Sequence, residues 1–255
     1  MEVFLNPNAW IALLTLTFLE IVLGIDNIIF ISIATGKLPA EKRKKATKLG
    51  MFLAMFMRIA LLFGINLLIQ MKEPWFHIDF SWFSAGITGQ SVILLLGGLF
   101  LIYKSTNEIR EKVEEKGEEE KEIKQAATKS FQNVILQIIM IDIVFSFDSI
   151  LTAVGMTNGV EGALYIMITA VIVSVFIMMQ FAVPVGNFVN KHPSIQILGL
   201  AFLILIGMML LTESAHLSDA LIFGNHVTPL PKGYLYFAIS FSLVVEMINM
   251  NIKKK

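Results

Sequence analysis

The chain has 255 residues, of which 56% are apolar and 16% are charged, and its formal net charge is zero. This composition is typical of a polytopic membrane protein and argues against a soluble enzyme or a nucleic-acid-binding protein. Cysteine is absent, which excludes disulfides, thiolate metal sites and cysteine nucleophiles.

Seven apolar runs are each long enough to cross about 30 Å of hydrocarbon as a helix. They cover residues 9–35, 49–69, 87–103, 131–156, 160–183, 194–212 and 233–251. Residues 76–83 are predicted to form a short interfacial segment. The highly charged stretch 105–130 is predicted to be a cytoplasmic loop, helical at its start, that joins two halves. We therefore predict an all-α membrane protein with seven transmembrane helices.

The basic residues predict how the chain is oriented in the membrane. Apart from Arg58, Lys72 and Lys232, every Lys and Arg falls in the first, third or fifth loop or at the C-terminus. These segments share one side of a seven-span protein, and the positive-inside rule places that side in the cytoplasm. The N-terminus is then expected outside and the C-terminus inside, with no cleaved signal peptide.

An acidic pattern occurs twice along the chain. The sequence EIVLGIDNI at 20–28 aligns with DIVFSFDSI at 142–150, acid for acid. Three helices separate the starts of the two motifs, so their helices cross the membrane in opposite directions, as in transporters built from inverted repeats. We predict one three-helix repeat at 9–104, an inverted second repeat at 131–216, and a seventh helix at 233–252 outside both.

Four carboxylates at bilayer depth each cost on the order of 3 kcal/mol by insertion scales, so their presence indicates a function. With neighbouring oxygen-bearing side chains, the predicted metal-binding cluster is Glu20, Asp26, Asn27, Asp142, Asp148 and Ser149. Such oxygen ligands suit Mn²⁺, Mg²⁺ or Ca²⁺ better than Zn²⁺ or copper. No resident cofactor is expected, because the metal would be cargo.

A straight helix cannot aim every acid of the cluster at one point, because Asp26 and Asp148 lie about 100° round the helix from the neighbouring Asn and Ser. We therefore expect local unwinding at Gly24 and Ser146, which would also free backbone carbonyls as ligands. The expected consequence is a visible kink near Gly24.

Two further polar features lie within the predicted spans. Arg58 is the only base at depth, and we expect it to pair with one of the acids and to balance the charge when no ion is bound. In the seventh helix Ser242, Glu246 and Asn249 form a polar stripe. An inner access route and an interhelix hydrogen bond explain that stripe equally well.

The motifs resemble those of the TerC family. The matching pieces are LEIVLGIDNIIF at 19–30, DIVFSFDSILTAVG at 142–155 and PKGYLYFAISFSLVVEMIN at 231–249. The resemblance implies a bacterial inner-membrane protein. It also implies a role in metal handling, because family members are linked to Mn²⁺ efflux and to supplying metal to exported proteins. The predicted function is therefore export of a divalent cation, with Mn²⁺ the first candidate, by alternating access around the carboxylate cluster. Coupling to protons is compatible with acids in a low dielectric.

Other function classes are alternatives to an exporter. An intramembrane aspartyl protease also uses two buried Asp, but its G-x-G-D signature is missing at 23–26, so no enzymatic activity is expected. A non-transporting membrane partner in a metal-stress or metalation complex, and a Ca²⁺/H⁺ exchanger, both fit the same residues. Besides the cation and the lipid bilayer, the partners to be tested are a second copy of the chain and an exported metalloprotein client.

Overall fold

The structure is a computed structural model that describes residues 6–114, 131–157 and 159–252, without the side chains of Asp26 and Asn66. In chain order its elements are α1 (Pro7–Gly36), α2 (Ala40–Phe63), α3 (Ile65–Gln70), β1 (Pro74–Phe80), β2 (Phe83–Thr88), α4 (Gly89–Glu114), α5 (Phe131–Met156), α6 (Ala163–Lys191), α7 (Pro193–Leu217), β3 (Leu221–Ile222), β4 (Asn225–His226) and α8 (Lys232–Ile252). Among the described residues, seven helices, all but α3, are long and apolar enough to span a membrane. The predicted all-α polytopic fold is confirmed.

Some helix bounds differ from those predicted. The predicted span 49–69 is divided at Gly64, where α2 ends and the short α3 begins. Helix α6 continues through Pro184 to Lys191, although the predicted span stopped just before this proline. A membrane helix tolerates an internal proline because neighbouring helices and local adjustments satisfy the freed carbonyl.

The charged stretch after the third span begins as a helix, as predicted. Helix α4 reaches Glu114 and carries an ion pair of 2.8 Å between Lys104 and Glu108. One turn later the Lys112 ammonium bonds the amide oxygen of Gln196 at the start of α7. The remainder of this predicted loop, residues 115–130, lies outside the described residues.

The predicted interfacial segment at 76–83 is instead part of an antiparallel sheet with strand order β1-β2-β3-β4. Strands β1 and β2 form a hairpin, and β2 pairs with β3 from the far end of α7, where Phe83 faces Ile222. The turn between β3 and β4 places Phe223 and Gly224 at positive φ, as tight hairpins require. Because β2 and β3 are far apart in the sequence, no local sequence pattern predicts that they pair.

The chain divides into two compact units. One contains α1, α2, α5 and α6 and spans Met1–Ile65 with Glu122–Lys191; the other contains α3, the sheet, α4, α7 and α8 and spans Asn66–Lys121 with His192–Lys255. In the four-helix unit α1 packs on α6 and α2 packs on α5, while in the other unit α4 packs along α7. In the predicted repeats α1 corresponds to α5, α2 to α6 and α4 to α7, so exchanging the repeats leaves these three pairings unchanged. Each predicted repeat contributes two helices to the four-helix unit and its third helix to the other unit. The inverted repeat itself stays a prediction.

Most buried positions of the corresponding helices also align in the sequence. When Glu20 is aligned with Asp142, seven of the ten buried residues of α5 fall on buried residues of α1; the exceptions are Val134, Ile141 and Phe147. When Ala46 of α2 is aligned with Ile166 of α6, all eight buried residues of α2 fall on buried residues of α6. Arg58 then corresponds to Met178, so a buried charge on α2 has an apolar counterpart on α6.

In the second unit, α4 and α7 contact each other closely at two glycines. A Cβ atom on Gly98 would lie 2.7 Å from the carbonyl oxygen of Gly207, and one on Gly207 would lie 2.9 Å from that of Gly98. Near one end of this pair the Ser214 hydroxyl donates to the carbonyl oxygen of Ser91 at 2.6 Å. The two helices are therefore antiparallel and closely packed.

Candidate functional site

An arginine holds two acids together inside the four-helix unit. The guanidinium of Arg58 on α2 bonds the carboxylate of Glu20 on α1 through one nitrogen. Its other terminal nitrogen lies 3.1 Å from Oδ1 of Asp142 on α5. All three residues are 3% exposed. Arg58 was predicted to pair with one acid, but it bridges two. Glu20 and Asp142 occupy equivalent positions in the two acidic motifs.

Asp142 also receives hydrogen bonds from uncharged donors. The Ser146 hydroxyl, one turn further along α5, donates to Oδ2 at 3.0 Å. The Asn27 side chain of α1 donates to Oδ1 at a longer 3.4 Å. A buried carboxylate is stable only when its lone pairs are satisfied, and here three helices supply the donors. Ser146 is not among the predicted ligands, although its i,i+4 spacing from Asp142 could have indicated the bond.

The charges at this site do not cancel. One guanidinium faces two carboxylates, so with every group ionised the described trio carries a net negative charge. In a low-dielectric interior such an excess attracts a further cation or a proton. The trio can therefore accommodate one further positive charge beside Arg58.

Helices α1 and α5 are continuous through the acidic motifs, contrary to the predicted unwinding at Gly24 and Ser146. Gly24 has another role. A Cβ atom there would lie 2.1 Å from the sulfur of Met178 on α6, so any larger residue at this position would require the Met178 side chain to move. Met178 therefore packs against α1. Its counterpart in the alignment of α2 with α6, Arg58, contacts α5.

The remaining predicted ligands are placed as follows. Asp148 is half-buried on α5, and its backbone carbonyl accepts a hydrogen bond of 3.0 Å from Thr152. The Ser149 hydroxyl is buried and donates to the carbonyl oxygen of Ser146 at 3.2 Å, which leaves its lone pairs as acceptors. The side chain of Asp26 lies outside the described residues. Among the side chains that are described, no three His, Cys, Asp or Glu converge as a metal site. The four-carboxylate cluster therefore stays a prediction.

The polar stripe of α8 continues the face by which this helix packs in its own unit. Leu235 and Ile239 are buried, and Glu246 and Asn249 follow on the same side of the helix. The Asn249 amide lies 3.5 Å from the Glu246 carboxylate, so the pair is formed within α8. Glu246 is half-buried and Asn249 is exposed. Both predicted supporting residues therefore lie on a helix of the second unit.

The helices and the buried Arg58 trio define a polytopic helical membrane protein with an ionic site inside its four-helix unit. Residues 5–255 match the family described as Integral membrane protein TerC family. The chain belongs to the TerC family, and the resemblance noted in the acidic motifs is confirmed.

Curated relatives cover the chain almost completely. It is 48% identical over 250 residues to the "UPF0053 inner membrane protein YgdQ" of Escherichia coli K12, covering 98% of this chain and 96% of that protein. It is 45% identical over 249 residues to a "UPF0053 protein" of Haemophilus influenzae, with the same coverage. It is also 42% identical to the E. coli protein "YoaE", but covers only 44% of that longer protein. No solved structure matches the chain.

Proposed function

We propose that this protein exports a divalent cation across the bacterial inner membrane, with Mn²⁺ the first candidate. The observation that carries the proposal is the Arg58 trio, in which two equivalent carboxylates on different helices share one internal cation. Their burial at 3% exposure is costly without a purpose. The names of the curated relatives, as inner membrane proteins, support the location.

In the proposed mechanism the arriving metal ion displaces Arg58 from Glu20 and Asp142. Carboxylates, with the amide of Asn27 and the hydroxyl of Ser149, form the all-oxygen environment that Mn²⁺, Mg²⁺ and Ca²⁺ prefer. When the metal leaves, Arg58 returns and restores the charge balance. Because burial in a low dielectric disfavours an uncompensated charge, protons can take part in the same exchange.

The second acid of each motif provides the next proposed step. Asp26 and Asp148 follow the bridged acids at the same spacing, and we assign them to the metal site in the inward- and outward-facing states. Glu246 and Asn249 on α8 are proposed as supporting residues of transport. Alternating access between the two repeats would then expose the carboxylate cluster first to one side of the membrane and then to the other.

Asp26→Asn and Asp148→Asn test this mechanism, because each keeps the shape of the side chain while removing one charge. Neutralising a carboxylate at depth relieves desolvation, so protein abundance should remain near wild type. We expect both variants to lose most Mn²⁺ export, measured as cellular Mn²⁺ retention and sensitivity. Asp79→Asn, in an exposed strand outside the membrane helices, is the matched control and should export normally. Wild-type export by both site variants at equal abundance would refute the carboxylate site.

Purified protein in liposomes separates a carrier from a non-transporting partner of a metal-stress complex. A carrier moves Mn²⁺ into or out of vesicles that contain no other protein, whereas a partner moves none. The same vesicles loaded with a pH indicator and offered Ca²⁺ instead of Mn²⁺ distinguish a Ca²⁺/H⁺ exchanger. Uptake of Mn²⁺ that depends on Asp148 is the expected result, and vesicles inert to both ions would refute transport.

A further inference from the structure

A groove between α2 and α6 in the four-helix unit is apolar along its length and cationic at one end. Its volume of about 640 Å³ lies within the roughly 300–1,000 Å³ typical of ligand sites. Six of its lining residues belong to α2 and one to α6: Glu41, Lys44, Lys45, Lys48, Leu49, Phe52 and Met179. Nothing in the proposed transport mechanism uses this groove.

The order of these residues along α2 matches the order of groups in a phospholipid. Lys45 and Lys48 precede the apolar part of the helix. Phe52 lies about 10 Å beyond Lys45 along the helix axis. The ring of Phe52 meets that of Phe56 edge to face, with centroids 4.8 Å apart, and both remain about half exposed. A charged head at the lysines would therefore place an attached hydrocarbon chain along exposed aromatic surface.

The three lysines of the groove are not held by ion pairs in the part of the chain that the structure describes. All three are exposed. Arg43 in the same segment differs, since its Nε donates to the carbonyl oxygen of Leu38 at 2.8 Å. Glu41 is the one acid in the lining, so the groove is positive overall.

The other repeat shows that the fold does not need these lysines. In the alignment of α2 with α6, Lys44, Lys45 and Lys48 correspond to Leu164, Tyr165 and Ile168. The cationic end is therefore confined to the half whose helix starts among basic residues. A general excess of cytoplasmic Lys and Arg sets topology, but it does not require three of them around one apolar groove.

We propose that this groove binds an anionic phospholipid of the cytoplasmic leaflet. The phosphate of the lipid contacts Lys44, Lys45 and Lys48. One acyl chain of the lipid lies against Leu49, Phe52 and Met179. Basic pockets between membrane helices on the cytoplasmic side are suited to such head groups, because lysines attract the phosphate while the chain stays in an apolar setting. The proposal holds whether or not the protein transports metal.

Native mass spectrometry of the detergent-solubilised full chain, titrated with phosphatidylglycerol, measures this site directly. Replacing all three groove lysines by Gln should weaken binding of the first lipid by roughly a hundredfold. The control is Lys253→Gln with Lys254→Gln and Lys255→Gln, which removes the same charge at the C-terminus and should bind like wild type. Met179→Trp is a second variant that fills the groove without a change of charge, and it should also lose the lipid.

Each alternative occupant gives a different result. Equal binding of phosphatidylcholine with the same chains would mean nonspecific lipid contact, and equal loss in the C-terminal control would mean diffuse surface charge. Displacement of the lipid by sn-glycerol 3-phosphate at comparable concentration would mean a site for soluble phosphates. Any of these outcomes overturns the proposal. Gel filtration of each variant confirms that it is folded before the titration is compared.

Discussion

Arg58→Met tests whether the arginine serves as the internal counter-ion of the acids. The substitution gives α2 the residue that its counterpart α6 carries at Met178, so the side chain fits the pattern of the fold. It leaves Glu20 and Asp142 buried at 3% exposure with no cation between them. Removing one partner of a buried ion pair costs about 3–5 kcal/mol. We therefore expect the Tm of the purified variant in metal-free detergent to fall by about 10 °C.

Two changes should restore the stability of Arg58→Met. Mn²⁺ should do so because it replaces the missing charge. Adding Glu20→Gln should recover part of the loss, since one carboxylate then remains for the donors of Ser146 and Asn27. The assay is thermal unfolding with and without Mn²⁺.

The matched control for this experiment is Arg110→Met. Arg110 is paired with Glu114 on α4, but both side chains are exposed, at 74% and 62%. Exposed pairs contribute little to stability, so this variant should unfold like wild type with and without Mn²⁺. The counter-ion role would be refuted if Arg58→Met stayed folded yet lost all Mn²⁺ binding, because Arg58 would then be required for the bound state itself.

Two further predictions concern orientation and helix packing. A reporter fused after Lys255, or inserted at 110–121, should be cytoplasmic, and one at 72–79 should be outside. If the reporters at 110–121 and 72–79 lay on the same side, the inverted repeat would be refuted. Gly207→Ala should destabilise the purified protein by about 1–3 kcal/mol, because its Cβ would overlap the facing helix. Gly155→Ala, which meets nothing within 4 Å, should be neutral or stabilising in the same unfolding assay.

The number and order of the membrane helices could be predicted because each must satisfy its backbone hydrogen bonds within about twenty apolar residues. Helix α5 coincides with its predicted bounds, 131–156, for this reason. Helix α2 begins earlier than predicted, at Ala40, because its first turns are charged and lie beyond the apolar run. The pairing of β2 with β3 could not be predicted, since it joins residues far apart in the chain.

The candidate site could be predicted in its residue types but not in its contacts. Charged side chains are energetically unfavourable inside a membrane, and for that reason Glu20, Asp142 and Arg58 could be identified from the sequence. Which acids share the arginine depends on how three helices pack, and periodicity along one helix does not contain that information. Gly24 illustrates the same point, because the pattern suggested unwinding while the packing uses its missing side chain for the approach of Met178.

The difference between Arg58 and Met178 has a consequence for the energetics of an alternating carrier. If the two repeats were identical, exchanging their conformations would produce states of equal free energy, and an unloaded carrier would face either side equally often. A charged group in only one half removes that degeneracy. Under the proposed function, the protein without a bound ion would therefore favour the conformation open to one side of the membrane. Turnover would then be limited by the return from that favoured conformation. Direction of transport would then be influenced by a resident side chain as well as by the ion gradients.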